Sequence, residues 1–349
     1  MKYNYEWTLK DAKFTKDKGK VFSCFACGGG STMGYKLAGF DVIGFNEIDP
    51  KMAECYIKNH NPKYQFIEPI QTFKNRDDLP RELYDLDILD GSPPCSSFSM
   101  AGNREDDWGK EKKFREGQSE QVLDTLFFDF IDLAKKLQPK IVIAENVKGL
   151  LMGDARPYVS RILKSFSDAG YRVDFKLLDA SRMGVPQKRE RVFFYAVRND
   201  IECETIDLMG EQPFIDLDFN EPIITYGEIE DVDAPPERLF PSTTKMFPLV
   251  VEGGNFSDVH PKGYFFNYNK VHRERVLNTI TAHTNGGGSY HYAVMRGLSK
   301  KENCRGGTYP QDYNFINQKH KYMVGMSVPP VMTAQIADRV HNQWLKGIK

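Results

Sequence analysis

No stretch of this chain is long and apolar enough to span a membrane, and no segment repeats or falls into low complexity. A disulfide framework is missing as well. The six cysteines (Cys24, Cys27, Cys55, Cys95, Cys203, Cys304) are irregularly spaced in 349 residues, a length that builds a core without covalent staples. Cys24 and Cys27 form a C-x-x-C, but no second pair or nearby histidine completes a zinc site, so two small buried apolar side chains are the simpler reading and no metal is expected. Charge of one sign is also missing: 47 basic against 48 acidic residues leave a net charge of -1. Any attraction to nucleic acid must then come from local clusters of Lys and Arg. The opening residues are polar and charged where a secretory signal would need an apolar stretch, so the expectation is a soluble, cytoplasmic protein without membrane contact.

What is present is alternation. Over the first two hundred residues short β-rich runs (21–26, 42–47, 86–90, 141–145, 171–178, 192–197) alternate with helical patterns, which predicts a mostly parallel sheet wound with helices on both faces. The spacing of Val122, Leu123, Leu126, Phe127, Phe130, Ile131, Ala134 and Leu137 predicts a core-facing helix over 119–138, and a further helix is expected over 156–169. After Asn199 periodicity fades and acidic residues outnumber basic ones to about residue 240, marking a domain boundary. Helical order returns over 333–345, with Thr333 near its cap.

Four segments carry chemistry. The turn Phe25-Ala26-Cys27-Gly28-Gly29-Gly30 follows the first strand, and Glu47 closes the second. Beyond strand ends such a turn lets a ligand approach the backbone, and the acid can accept from ribose hydroxyls. Met33 stands where a dinucleotide fingerprint needs glycine, so a nucleoside cofactor without pyrophosphate fits better; a plain tight turn is the bland alternative. Next, Gly91-Ser92-Pro93-Pro94-Cys95 follows an apolar strand, and the two prolines hold a thiol at the ligand edge, as nucleophile or as structural turn. Glu145-Asn146-Val147 closes another apolar strand, where burial would favour a protonated carboxyl. Finally, Gln187, Arg189 and Arg191 alternate on an extended segment and form one polar row, for a site or for surface salt bridges.

In this order the four segments resemble the C5-cytosine-specific DNA methyltransferases, and the resemblance covers nearly everything outside about 199–270. Pro94-Cys95 with Ser99, Glu145-Asn146-Val147 and Gln187-x-Arg189-x-Arg191 match that family's motifs. The stretch from Arg296 through Glu302 to Asp312 and Gly325-Met326-Ser327-Val328-Pro329-Pro330 look like its last two. The resemblance implies a Rossmann-like S-adenosylmethionine (SAM) domain over 1–198 plus 291–349 and a smaller target-recognition domain over 199–290. It implies a cofactor site at Phe25, Cys27, Gly29, Gly30, Glu47, Ile48, Ile70, Pro94 and Ser327, with S-adenosylhomocysteine as product. Cys95 would attack C6 of a flipped cytosine, Glu145 would bind N3 and the amino group, and Arg191 would brace O2 with Arg189 behind it. Ser99, Asn146, Gln187, Lys270 and Arg273 would contact double-stranded DNA, and the charged stretch 96–118 would close over it. A monomeric enzyme of a bacterial or phage-encoded system, with a restriction endonuclease as partner, is the implied setting. The chain departs from the family around the cofactor: Ser23 replaces an acid, Cys27 a glycine, Pro69 stands near another expected acid, and Met326 replaces an asparagine. A transfer-RNA methyltransferase of a related branch is the nearest rival, a catalytically silent DNA-binding homologue the next, and a nicotinamide oxidoreductase a distant one.

Overall fold

The computed structural model describes residues 2–94, 111–112, 121–122, 125–202, 215–265, 267–282 and 288–348. Its centre is a seven-stranded sheet. The strands are β1 (Lys20–Cys24), β2 (Asp41–Asn46), β3 (Tyr64–Phe66), β4 (Ile88–Gly91), β5 (Ile141–Val147), β6 (Tyr171–Asp179) and β7 (Glu190–Arg198), in the spatial order β3-β2-β1-β4-β5-β7-β6. The pairs from β3 to β5 are parallel, and β7 runs antiparallel to β5. Strand order reverses between β1 and β4, the kind of switch point beyond whose strand ends ligands bind in open α/β sheets. The architecture is the expected doubly wound α/β, Rossmann-like fold.

Helices α1 (Gly30–Ala38), α2 (Pro50–His60), α3 (Ile70–Lys74), α4 (Leu126–Leu137) and α5 (Arg156–Asp168) connect the strands. Asp49 caps α2 by accepting from the Lys51 N–H at 2.8 Å, with Pro50 at the first helical position. On α4, Leu126, Phe127, Phe130, Ile131, Ala134 and Leu137 are all buried, the stripe that the periodicity predicted. That helix starts later than expected, because Gln121–Val122 pairs antiparallel with Glu111–Lys112. The closing helix starts earlier, at Pro330, and runs to Val340 before a π-helical turn over His341–Leu345. Proline is tolerated in a first helical turn, where its missing N–H has no intrahelical partner to lose.

The chain divides into two compact units: Lys13–Leu178, Glu190–Asp218 and Thr333–Lys349, which hold the sheet, and Met1–Ala12, Asp179–Arg189 and Phe219–Met332. In the second unit regular structure is sparse. Its strands Tyr268–Lys270 and Gly288–Tyr290 have three residues each. Met246, Phe247, Val250, Phe256 and Tyr290 form a small core there.

Candidate active site

The turn after β1 is bent by backbone geometry that L-residues rarely adopt: Phe25 has φ 53°, Cys27 φ 47° and Gly29 φ 83°. Glycine suits position 29 for a further reason, since a Cβ there would collide with the His60 ring. Glu47 holds the turn from the end of β2. Its carboxylate accepts from the Cys27 N–H at 2.7 Å on one oxygen and from the Asp49 N–H at 2.8 Å on the other. Burial pushes this carboxyl above its ordinary range while those backbone donors pull the other way. Each oxygen keeps acceptor capacity for a hydroxyl. The Cys27 thiol is pushed up to about 12 by burial and by Glu47, which keeps it protonated near neutral pH. Among the described residues no group of three or more His, Cys, Asp or Glu side chains is placed to hold a metal. Ile48, which follows Glu47 in sequence, is half-buried, and Ile70 lies in the main core.

Cys95 and Ser99 lie outside the described residues, as does most of 96–118. The approach to Cys95 is described. The Asn146 amide donates to the Pro93 carbonyl at 3.3 Å, and its oxygen accepts from the Val147 N–H at 2.8 Å. The clamp ties the Pro93-Pro94 turn to the end of β5, one residue from Glu145. Glu145 in turn pairs with Arg191 across the β5–β7 ladder, Nε to Oε1 at 2.9 Å, and Arg191 also donates to the Glu190 carbonyl. Of the expected catalytic set, then, Glu145 and Arg191 are brought into contact within the sheet-bearing unit.

The expected polar row at 187, 189 and 191 does not share one set of partners. Gln187 and Arg189 are 1% and 2% exposed. Gln187 donates to the Gly306 carbonyl at 2.7 Å and accepts from the Ile280 N–H at 3.1 Å, while Arg189 donates to the Ile280 and Gly325 carbonyls. Strand alternation fails here because residues 187–189 precede β7 and satisfy irregular backbone in their own unit. Gly325 must be glycine, since a Cβ would meet the backbone of Thr281 and Ala282 at 2.6 Å. Ser327 is buried and bonded to Tyr309, 2.5 Å between hydroxyl oxygens, and to the Met323 carbonyl. Lys270 is buried, its ammonium 4.0 Å from the Phe247 ring centroid. Arg273 has a largely exposed side chain, 3.4 Å from Glu230, which also meets His291.

Sequence reasoning missed Asp90, the penultimate residue of β4. It is 5% exposed, and burial pushes its carboxyl up to about 6. The signal was available: it is an acid ending an apolar strand, the pattern that singled out Glu145.

Comparison with known proteins bears on the family and the fold. Residues 19–342 match the C-5 cytosine-specific DNA methylase family. A type II methyltransferase of Neisseria gonorrhoeae, M.NgoFVII, is 28% identical over 95% of this chain and 89% of its own length. Among solved structures, a prophage-encoded Escherichia coli protein described as a DNA modification methyltransferase superimposes with a TM-score of 0.64 at 19% identity, covering 93% of this chain and 99% of its own. DNMT2 of Spodoptera frugiperda does so with a TM-score of 0.61 at 18% identity, covering 91% of this chain and 98% of its own. Seven strands in this order, a Glu145–Arg191 pair beside the Pro93-Pro94 turn, and a match over nearly the whole length lead to one conclusion: the chain belongs to the C-5 cytosine-specific DNA methylase family.

Proposed function

We propose that the protein transfers a methyl group from SAM to C5 of a cytosine flipped out of double-stranded DNA, with Cys95 as nucleophile. The observation that carries this reading is the Glu145–Arg191 pair, joined through Asn146 to the carbonyl two residues before Cys95. SAM suits the turn at 25–30 because Glu47 retains acceptor capacity for ribose hydroxyls; when bound, it supplies the electrophilic methyl group. Phe25, Cys27, Gly29, Gly30, Glu47, Ile48, Ile70 and Pro94 are its proposed contacts in the sheet-bearing unit.

Cytosine C5 is a poor nucleophile, and adding a thiolate at C6 raises its reactivity by splitting one hard step into easier ones. Cys95 forms the bond to C6, and the electron pair displaced from the C5–C6 bond is drawn toward N3. Glu145 shares a proton with N3 there and accepts from the 4-amino group. Arg191 braces O2. Once C5 carries the methyl group that SAM would supply, a base removes the C5 proton, the electron pair of that C–H bond re-forms the C5–C6 double bond, and Cys95 leaves as the thiolate. Arg189 and Gln187 act by holding the backbone at 280, 306 and 325. The target base lies inside a duplex and has to be extruded to reach Cys95.

Residues 199–290 are the proposed target-recognition domain, with Arg273 as an exposed candidate for a phosphate contact. A cognate restriction endonuclease, a monomeric state and a cytoplasmic setting complete the proposal. The test is bisulfite sequencing of DNA from cells expressing the wild type or Cys95→Ala. Protected cytosines at one recurring sequence only with the wild type support the reading; unprotected DNA alongside methylated RNA would move the substrate to RNA, and equal protection by Cys95→Ala would end the scheme.

A further inference from the structure

Asp90 stands opposite Ser23 in the parallel β1–β4 register, at the strand-order switch. Its carboxylate is met by three hydroxyls. Ser23 on β1 and Ser31 on α1 donate to Oδ2 at 2.8 and 2.7 Å, and Tyr35 on α1 donates to Oδ1 at 3.2 Å. Ser23 precedes the turn at 25–30, and Ser31 and Tyr35 follow it. One buried carboxylate thus ties both ends of the turn together, from a strand that is not part of it. A buried carboxyl costs desolvation that an apolar residue at 90 would avoid, so filling space does not explain it.

Ser23 is also the position where the family resemblance leads one to expect an acid. We propose that Asp90 is a positioning residue for the cofactor turn, supplying from β4 the carboxylate missing at position 23. The inference rests on the SAM reading given above. Asp90 acts through Ser23, Ser31 and Tyr35, and no contact of its own with the cofactor is required.

The titratable groups facing it are Cys24 on β1, Tyr35 on α1, Tyr56 on α2 and Glu145 on β5. Burial pushes the first three up, so they stay neutral over the physiological range. Burial is the largest cause of the raised Asp90 carboxyl, the charge on Glu145 adds to it, and the three hydroxyls oppose it. An ionised Asp90 accepts on both oxygens. Protonation turns one oxygen into a donor, so a hydroxyl partner must reorient and the tie slackens.

The test is calorimetric titration with S-adenosylhomocysteine between pH 5 and 8, which needs no turnover. Asp90→Ser should weaken binding about tenfold or more, the effect of losing bonds to a charged acceptor. The relocated pair Ser23→Asp with Asp90→Ser should recover most of that loss. Wild-type affinity should fall on acidification through about pH 6, whereas Asp90→Asn, which keeps the shape, should bind weakly at every pH. If Asp90→Ser does not fold, the pH profile of Asp90→Asn decides. Undiminished binding in Asp90→Asn with the wild-type pH profile would overturn this inference alone. Wild-type protein that binds no S-adenosylhomocysteine would remove the SAM reading and this inference with it.

Discussion

Two Arg–carboxylate pairs, Glu145–Arg191 in one compact unit and Glu302–Arg296 in the other, are built to opposite ends. In the sheet-bearing unit Glu145 meets Arg191 through one 2.9 Å contact, with side chains 13% and 17% exposed. In the other unit Glu302 is 0% and Arg296 3% exposed, and every acceptor site is engaged. Arg296 binds both Glu302 oxygens at 2.9 and 2.7 Å, and Tyr226, the Asp231 N–H and the Ser299 N–H complete the set. The first pair leaves capacity for a substrate; the second leaves none and serves as architecture. The backbone explains the difference. Ladders from β1 to β7 order the sheet without help from side chains, so acids at strand ends are available for chemistry. The unit around 219–332 has few ladders, and Gln187, Arg189, Arg296 and Glu302 satisfy its irregular backbone instead.

The comparison breaks first if the two acids respond alike. Glu145→Gln should lower kcat for methyl transfer by about 100- to 10,000-fold, the range for losing a positioned acid–base group, with a urea unfolding curve like the wild type's. Equal loss of stability would make Glu145 architectural. Glu302→Ala should do the reverse. Removing one member of a buried pair costs about 3–5 kcal/mol, read as a lowered urea midpoint, and the molecules still folded should methylate at the wild-type rate.

Acid should separate Glu302 from Asp90. Bonds to Arg296 and Tyr226 hold the Glu302 carboxyl below its usual range despite burial, so its contribution is present above the unfolded pKa and lost as pH falls through the folded one. Asp90 has the opposite sign: its folded pKa of about 6 lies above the ordinary 3.8. The folded state binds more protons over that window, so stability falls as pH rises from about 4 to 6, by up to about 3 kcal/mol. Unfolding free energies of wild type minus Asp90→Asn, measured against pH, should show that slope; a flat difference would reject it.

The smallest effect concerns DNA. Arg273→Ala should reduce the slope of log affinity against log salt by about 1, whereas Lys270→Met should leave it unchanged, because Lys270 is buried over Phe247. Equal slopes for both variants would contradict the different exposure of the two side chains.

The alternation of elements and the stripe on α4 were legible because burial imposes period 2 and period 3.6 on the sequence. Glu47 and Glu145 were legible as acids ending apolar strands. Asp90 carried the same mark but sits within five residues of Cys95, and the thiol drew the functional reading. The partners of Gln187, Arg189 and Lys270 were not legible. They are backbone groups and a ring 23 to 136 residues away, a separation that no local pattern encodes.

The central claim is that Cys95 bonds to a cytosine held by Glu145, and it is tested most directly by trapping. DNA in which the methylated cytosine is replaced by 5-fluorocytosine has no C5 proton for the final base to remove, so the covalent species should accumulate. Mass spectrometry after digestion, with SAM present, should find the peptide bearing Cys95 joined to the nucleotide. Full methylation of ordinary DNA without any such adduct on the fluorinated duplex would contradict the account.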